Sequence, residues 1–186
     1  MTSRYLAPWR VDVDIRPTVP RPLPIRIARL VRAMAVALDA AGAPDPAAIG
    51  LILSDDVELG DLNERHLGHD GPTDVLSFPL LPPEAFPGHP GDPDRGEALD
   101  VGSPAAFAGP PGRRVQLGDV VVSVERAIEQ AIAGRGGQTG DVRWSPADEL
   151  RLLVVHGTLH VCGWDHADPA EERAMRALEQ RLLADG

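Results

Sequence analysis

Three histidines near the C-terminal end of the chain have a spacing that suits a metal ion. They lie in the sequence HGTLHVCGWDH as His156, His160 and His166. On a helix, residues four apart lie on one face, so the first two imidazoles can reach the same ion. Gly163 follows where a helix would need a left-handed exit, which lets the chain turn back and deliver His166. The pattern predicts one metal site with three imidazole ligands.

The donor set favours a catalytic zinc. Three neutral imidazoles leave one position of a tetrahedral Zn²⁺ open, and an open position is typical of catalytic sites. Zinc lowers the pKa of its bound water to about 7, which supplies a nucleophile at neutral pH. Asp165 is expected to hold a ligand histidine in the right tautomer, with Asp168 a weaker candidate. Nickel or iron can also occupy three imidazoles, so the sequence predicts zinc without excluding them. Cys162, between the ligands, is predicted to be a small buried side chain.

The same histidine spacing occurs in the metzincin peptidases. Those enzymes place a glutamate directly after the first histidine as the general base, whereas this chain has Gly157 there. The chain also lacks a methionine in a turn after the motif, because Met175 belongs to the last helical pattern. A peptidase is therefore disfavoured, although a base supplied from elsewhere would revive it.

Composition indicates one domain in a reducing compartment. A chain of 186 residues with 43% hydrophobic residues is long enough for one core. No apolar run approaches the roughly 18 residues that span a bilayer, and the first ten residues do not resemble a signal peptide. The single cysteine, Cys162, excludes an internal disulfide. We therefore expect a cytoplasmic protein with no membrane association.

Charge is unevenly distributed along the chain. The net charge of −10 argues against a protein that coats nucleic acids generally. All 18 basic residues are arginine, and seven of them precede residue 33, where only Asp12 and Asp14 oppose them. One explanation of this arginine-rich first segment is compositional, because a GC-rich genome favours arginine codons and helices need solvated charged faces. The other explanation is a local phosphate-binding face.

Periodicity predicts an α+β fold, a single domain over residues 1–186 with a small mixed four-stranded sheet and about five helices. The apolar stripe predicted to face the core from the first helix consists of Ile27, Leu30, Val31, Met34 and Leu38. The segment 82–114 is rich in proline and glycine and is predicted to be a long loop, or a partly disordered insertion, between the last two strands, which can form a hairpin around it. The predicted strands are residues 11–15, 49–53, 73–80 and 118–123. The predicted helices begin at Pro24, Val57, Glu125, Ser145 and Pro169.

The histidine motif resembles the signature of the YbeY family. Two further blocks support this resemblance. One is Leu62-Asn63 followed by GPTDVLSFP at residues 71–79, and the other is LGDVVVS at residues 117–123. The matches cover about residues 57–80 and 117–175, in the order the family has them.

The resemblance implies a single-strand-specific, metal-dependent endoribonuclease of ribosomal RNA processing, notably small-subunit 3′-end maturation, and of ribosome quality control. It implies one zinc on the three histidines, with single-stranded or ribosomal RNA and the small ribosomal subunit with its associated proteins as partners. The family often has an arginine at the position of Leu67, where Arg65 is the nearest substitute for a phosphate contact. We therefore predict Asp165 and Arg65 as catalytic residues. Gly157 and Leu67 also leave open a non-enzymatic, zinc-stabilised ribosome-assembly factor.

Overall fold

The computed structural model describes residues 1–90, 114–134 and 145–184. Its strands are β1 (Thr2–Leu6), β2 (Trp9–Ile15), β3 (Ala47–Ser54), β4 (Val75–Pro79) and β5 (Val115–Ser123). Its helices are α1 (Ile27–Ala40), α2 (Asp56–Leu67), α3 (Val124–Ala133), α4 (Pro146–Val161) and α5 (Pro169–Ala184), with a 3₁₀ turn at Pro83–Ala85. The predicted α+β class and the five helices are confirmed, although α1 begins at Ile27 rather than at Pro24.

The sheet is mixed, in the order β1-β2-β3-β5-β4. The three central strands are parallel, and both edge strands pair antiparallel to their neighbours. The prediction of four strands is wrong, because β1 adds a fifth. All five residues of β1 are exposed, so the strand lacks the alternation that reveals a half-buried strand. The predicted hairpin of β4 and β5 around the long connection is confirmed.

The main core lies between one face of the sheet and helices α1 and α4. Leu30, Met34 and Leu38 of α1 are fully buried there against apolar residues of β2 and β3 such as Val11 and Leu51. Val31 is buried as well, and Ile27 is partly buried against the same core, so the predicted stripe of α1 is confirmed. A smaller core of Leu59, Leu76 and Val121 lies under α2 on the opposite face. The sheet is thus covered on both sides.

Helix α4, which carries two of the three histidines, is fixed at its start by a capping box. The Ser145 side chain accepts from the Asp148 backbone N–H, and the Asp148 side chain accepts from the Ser145 backbone N–H. Pro146 occupies the first turn, where its missing N–H costs nothing. This predicted start is confirmed. The cap fixes where the helix begins, and the four-residue spacing of His156 and His160 places them on one face of it.

The predicted insertion falls partly outside the described residues, since 91–113 are not among them. Its first part, residues 82–90, is described and contains the 3₁₀ turn and a buried Phe86. Within the described ranges, no helix is long and apolar enough to cross a membrane.

Candidate metal centre

The three predicted ligands converge. Each of His156, His160 and His166 offers a ring nitrogen, and these three atoms all lie within 4.8 Å of one another. The ring centroids are 4.5, 5.0 and 5.8 Å apart. Burial falls along the series, because His156 is 8% exposed, His160 is half-buried and His166 is exposed. The cluster therefore lies at the surface and opens to solvent beside His166.

The hydrogen bonds of the two helical histidines favour a cation between them. Nδ1 of His156 lies 2.7 Å from a carboxylate oxygen of Glu179, and Nδ1 of His160 lies 2.8 Å from the Trp164 carbonyl oxygen. Both partners are acceptors, so each neutral ring carries its proton on Nδ1 and a lone pair on Nε2. The two Nε2 atoms face each other at 3.0 Å. Ligands on a tetrahedral zinc, with Zn–N of about 2.0–2.1 Å, would be roughly 3.3 Å apart. The residues fit such an ion.

The pKa values of two groups agree with this donor set. Burial first, and then the neighbouring His156 and His166, lower the pKa of His160 to about 4. His160 is therefore neutral at pH 7, the state that binds a metal. Cys162 is buried as predicted, and burial raises the pKa of its thiol to about 12. Its sulfur stays protonated and is not a thiolate ligand.

The turn after α4 delivers His166 to the cluster. The helix ends at Val161, and Gly163 has the positive φ of +84° that a side chain would disfavour. The Trp164 backbone N–H then donates to the Leu159 carbonyl at 3.1 Å, which closes the end of the helix. The left-handed exit predicted from the sequence is present.

Gly157 faces the sheet rather than the histidine cluster. A Cβ at this position would lie 2.6 Å from Val120 Cγ1 and 3.2 Å from Ser77 Oγ. The Ser77 hydroxyl also donates to the Gly157 carbonyl at 3.0 Å, which ties α4 to β4 beside the first ligand. A glutamate at residue 157 would point into packed strands. The general base of the metzincin peptidases therefore has no room here.

Glu179 is the residue of this site that the sequence did not reveal. It lies on α5 and is 4% exposed, with its carboxylate on the His156 ring. A carboxylate behind a ligand histidine fixes the ring and raises its basicity as a ligand. The sequence offers one signal: Glu179 directly follows Leu178, a residue of the apolar stripe of α5. A charged residue there is rarely buried unless it has a partner.

The predicted residues around the ligands have the following positions. Asp165 is exposed, and its carboxylate accepts from the His166 backbone N–H at 2.7 Å. Asp168 accepts from the Ala170 backbone N–H at the start of α5. Arg65 is exposed on α2 and is 3.6 Å from Asp61, and Leu67 at the end of that helix is 57% exposed. The catalytic roles of Asp165 and Arg65 stay predictions.

The block of the resemblance at residues 62–63 and 71–79 joins β4 to the helices beside it. The Asn63 amide donates to the Gly71 carbonyl at 2.9 Å, which joins α2 to the segment before β4. Asp74 accepts from the Val75 backbone N–H at the start of β4 and from Gln130 of α3. These residues therefore position β4, the strand that anchors α4.

Comparison with known proteins agrees with this arrangement. A family model described as Endoribonuclease YbeY matches residues 24–185. The chain belongs to the YbeY family. YbeY relatives named Endoribonuclease YbeY include one from Salinispora tropica, 43% identical over 80% of each chain. A second, from a Roseiflexus species, is 34% identical over 92% of this chain and 90% of the relative.

One solved structure also has a similar fold. The solution structure of a Thermotoga maritima protein matches 94% of this chain and 90% of its own with a TM-score of 0.50. Its sequence is 17% identical, so this likeness concerns the fold alone. The YbeY assignment depends on the sequence matches and is consistent with the structural one.

Proposed function

We propose that this chain is a zinc-dependent endoribonuclease that cleaves single-stranded RNA in ribosomal RNA processing, including maturation of the small-subunit 3′ end. The observation that carries the proposal is the pair of Nε2 lone pairs 3.0 Å apart on His156 and His160, with His166 beside them. Three ring nitrogens this close together can share one metal ion. Membership of a family named for endoribonuclease activity supplies the substrate class.

Three residues would hold the ion, and two groups would orient them. His156, His160 and His166 are the ligands, with Glu179 behind the first and the Trp164 carbonyl behind the second. When bound, zinc supplies an activated water or polarises a phosphodiester oxygen. Because His166 is exposed, an RNA strand approaching from solvent meets the cluster on that side.

Asp165 and Arg65 are proposed to act on the substrate side. Asp165 orders the His166 backbone and leaves a carboxylate at the surface next to the ligands. Arg65 is 71% exposed, so its guanidinium can reach a phosphate in a planar, bidentate contact. The RNA would cross β4, whose Phe78 packs edge-on against His66 of α2. The small ribosomal subunit and its associated proteins are the proposed partners, and ribosome quality control the proposed wider role.

A single-turnover cleavage assay on a single-stranded RNA tests this function. We expect the wild-type chain to cleave and the His160→Ala variant to lose cleavage and bound zinc together. Elemental analysis of the purified wild type and of His156→Ala identifies the metal in the same preparations. Equal cleavage by wild type and His160→Ala would mean that the nuclease is a contaminant, and the proposal would fail.

A second candidate is a zinc-stabilised ribosome-assembly factor without catalysis. Gly157 packs on the sheet, so the position directly after the first ligand carries no glutamate base, and Leu67 occupies the position where the family often has arginine. This candidate predicts that removing the metal lowers the melting temperature while no RNA-cleavage rate exists to be lost. Measuring both quantities on one preparation separates the two functions.

A further inference from the structure

The segment after β4 folds back onto the turn that carries the third ligand. We call residues 81–90 the strap and residues 162–166 the ligand turn. Phe86 of the strap is 4% exposed. Pro83 lies close to Gly163, because a Cβ added to Gly163 would be 3.2 Å from the Pro83 Cα. Pro87 lies close to Gly42 after the end of α1, because a Cβ added to Gly42 would be 2.8 Å from the Pro87 Cγ. The strap therefore contacts both the ligand turn and α1.

His89 makes the polar contact between the strap and the ligand turn. Its side chain is 7% exposed, and its ring stacks on Trp164 with centroids 4.1 Å apart and planes at 15°. Its Nε2 lies 3.2 Å from the Gly163 carbonyl oxygen and 3.3 Å from a carboxylate oxygen of Glu171. Both neighbours are acceptors, so Nε2 carries a proton and donates.

The other ring nitrogen of His89, Nδ1, does not contribute to this contact. Nδ1 is buried and has no hydrogen-bond partner within the described part of the chain. The polar contacts of the imidazole among these residues are therefore those of Nε2. Replacing the ring removes the link to the ligand turn and Glu171 without breaking a second hydrogen bond there.

Glu171 extends the contact to the third ligand. It is 6% exposed, and the oxygen that faces His89 also accepts from the Asp165 backbone N–H at 2.9 Å. The Asp165 carboxylate in turn accepts from the His166 backbone N–H at 2.7 Å. A series of polar contacts thus runs from His89 through Glu171 and Asp165 to His166. Backbone N–H groups bonded to carboxylates in such a series hold the backbone in one arrangement when all their partners are present.

We propose that His89 is a positioning residue of the metal centre, which holds the ligand turn in the conformation that presents His166 and the Trp164 carbonyl to the other two histidines. This inference depends on the metal-dependent function proposed above. The turn lies between α4 and α5 and has no regular structure of its own. Ordering it only when metal binds would lower the affinity, since fixing each residue of the turn costs conformational entropy. A turn already fixed by the strap avoids that cost.

The zinc affinity of the full chain tests the proposal, measured by competition with a chromophoric chelator. His89→Leu keeps an apolar side chain against Trp164 but removes the donor, and His89→Gln keeps an N–H donor at a similar distance. Groups behind metal ligands change affinity by about 10- to 100-fold. His89 acts on His166 only through Glu171 and Asp165, so we expect the lower end of that range: His89→Leu should weaken zinc binding about tenfold and His89→Gln less than about threefold.

Pro87→Ala is the matched control, because Pro87 is an exposed residue of the same strap that lies against Gly42 of α1 rather than the ligand turn. We expect its zinc affinity to equal that of the wild type. Melting of each metal-free variant shows whether it folds. A purely structural role would lower melting temperatures and leave the affinity of the folded protein unchanged.

The outcomes separate this inference from the proposed function. If His89→Leu binds zinc as tightly as the wild type, or if the Leu and Gln variants are weakened equally, the positioning role of the donor is wrong. If Pro87→Ala is weakened as much as His89→Leu, the effect belongs to strap packing and the inference also fails. His160→Ala is measured alongside, and if it retains zinc, the metal centre itself is wrong.

Discussion

Replacing Glu179 should weaken metal binding without changing any ligand. The carboxylate is 4% exposed and accepts a 2.7 Å hydrogen bond from Nδ1 of His156, which directs Nε2 of that ring toward His160. Glu179→Gln keeps an oxygen that can accept this hydrogen bond but removes the negative charge. Glu179→Ala removes the acceptor as well and leaves a buried N–H unsatisfied.

The structure sets the size of each effect. Loss of a group behind a ligand histidine typically costs 10- to 100-fold in metal affinity. We expect Glu179→Gln at the lower end, about tenfold or about 1.4 kcal/mol, because the ring orientation survives. Glu179→Ala should reach about a hundredfold, since an unsatisfied buried donor adds about 1–3 kcal/mol. Competition with a chromophoric chelator at fixed pH measures both values.

Glu172→Gln is the control for this comparison. Glu172 lies on the same helix, is 40% exposed and pairs with Arg176 rather than with a ligand. It should bind zinc as the wild type does. Wild-type affinity in both Glu179 variants would refute the role assigned to this carboxylate, and an equal loss in Glu172→Gln would show that the effect comes from general charge.

Two further predictions concern stability. Gly157→Ala places a Cβ 2.6 Å from Val120 Cγ1. Overpacking costs about 1–3 kcal/mol, and the better helix propensity of alanine contributes about 1 kcal/mol of stability. Urea unfolding should therefore show a net loss of about 1 kcal/mol in the free energy of unfolding. A more stable variant would contradict the close packing. Separately, Arg16 lowers the pKa of Glu58, and the Glu58 backbone N–H lowers that of Asp55. Their contribution is present above the usual carboxyl pKa of about 4 and is lost as the pH falls through the lowered values. Urea titrations of metal-free protein from neutral to acid pH should show this loss, with a smaller pH dependence in Arg16→Gln.

The sequence predicted those elements whose stability comes from local pattern. The apolar stripe of α1 and the cap of α4 each depend on residues a few positions apart in the chain. Periodicity and capping residues therefore reveal them. Strand β1 is different, because it has no buried face and is held by backbone pairing to β2 along its whole length. Nothing in its own residues distinguishes it from an exposed terminus. The sequence therefore does not reveal this fifth strand, because its pairing with β2, and not its own residue pattern, makes it a strand.

The same distinction applies within the metal centre. The ligands lie within eleven consecutive residues, and a helix followed by a glycine turn brings them together, so the spacing alone predicts their meeting. The groups that hold the ligands come from elsewhere: Glu179 is 23 residues from His156, and His89 is 74 residues from Gly163. Those contacts exist only after α5 has packed on α4 and the strap has folded over the turn. Spacing can therefore identify which atoms bind an ion, while the affinity for that ion is set in part by side chains that a linear pattern does not connect to it.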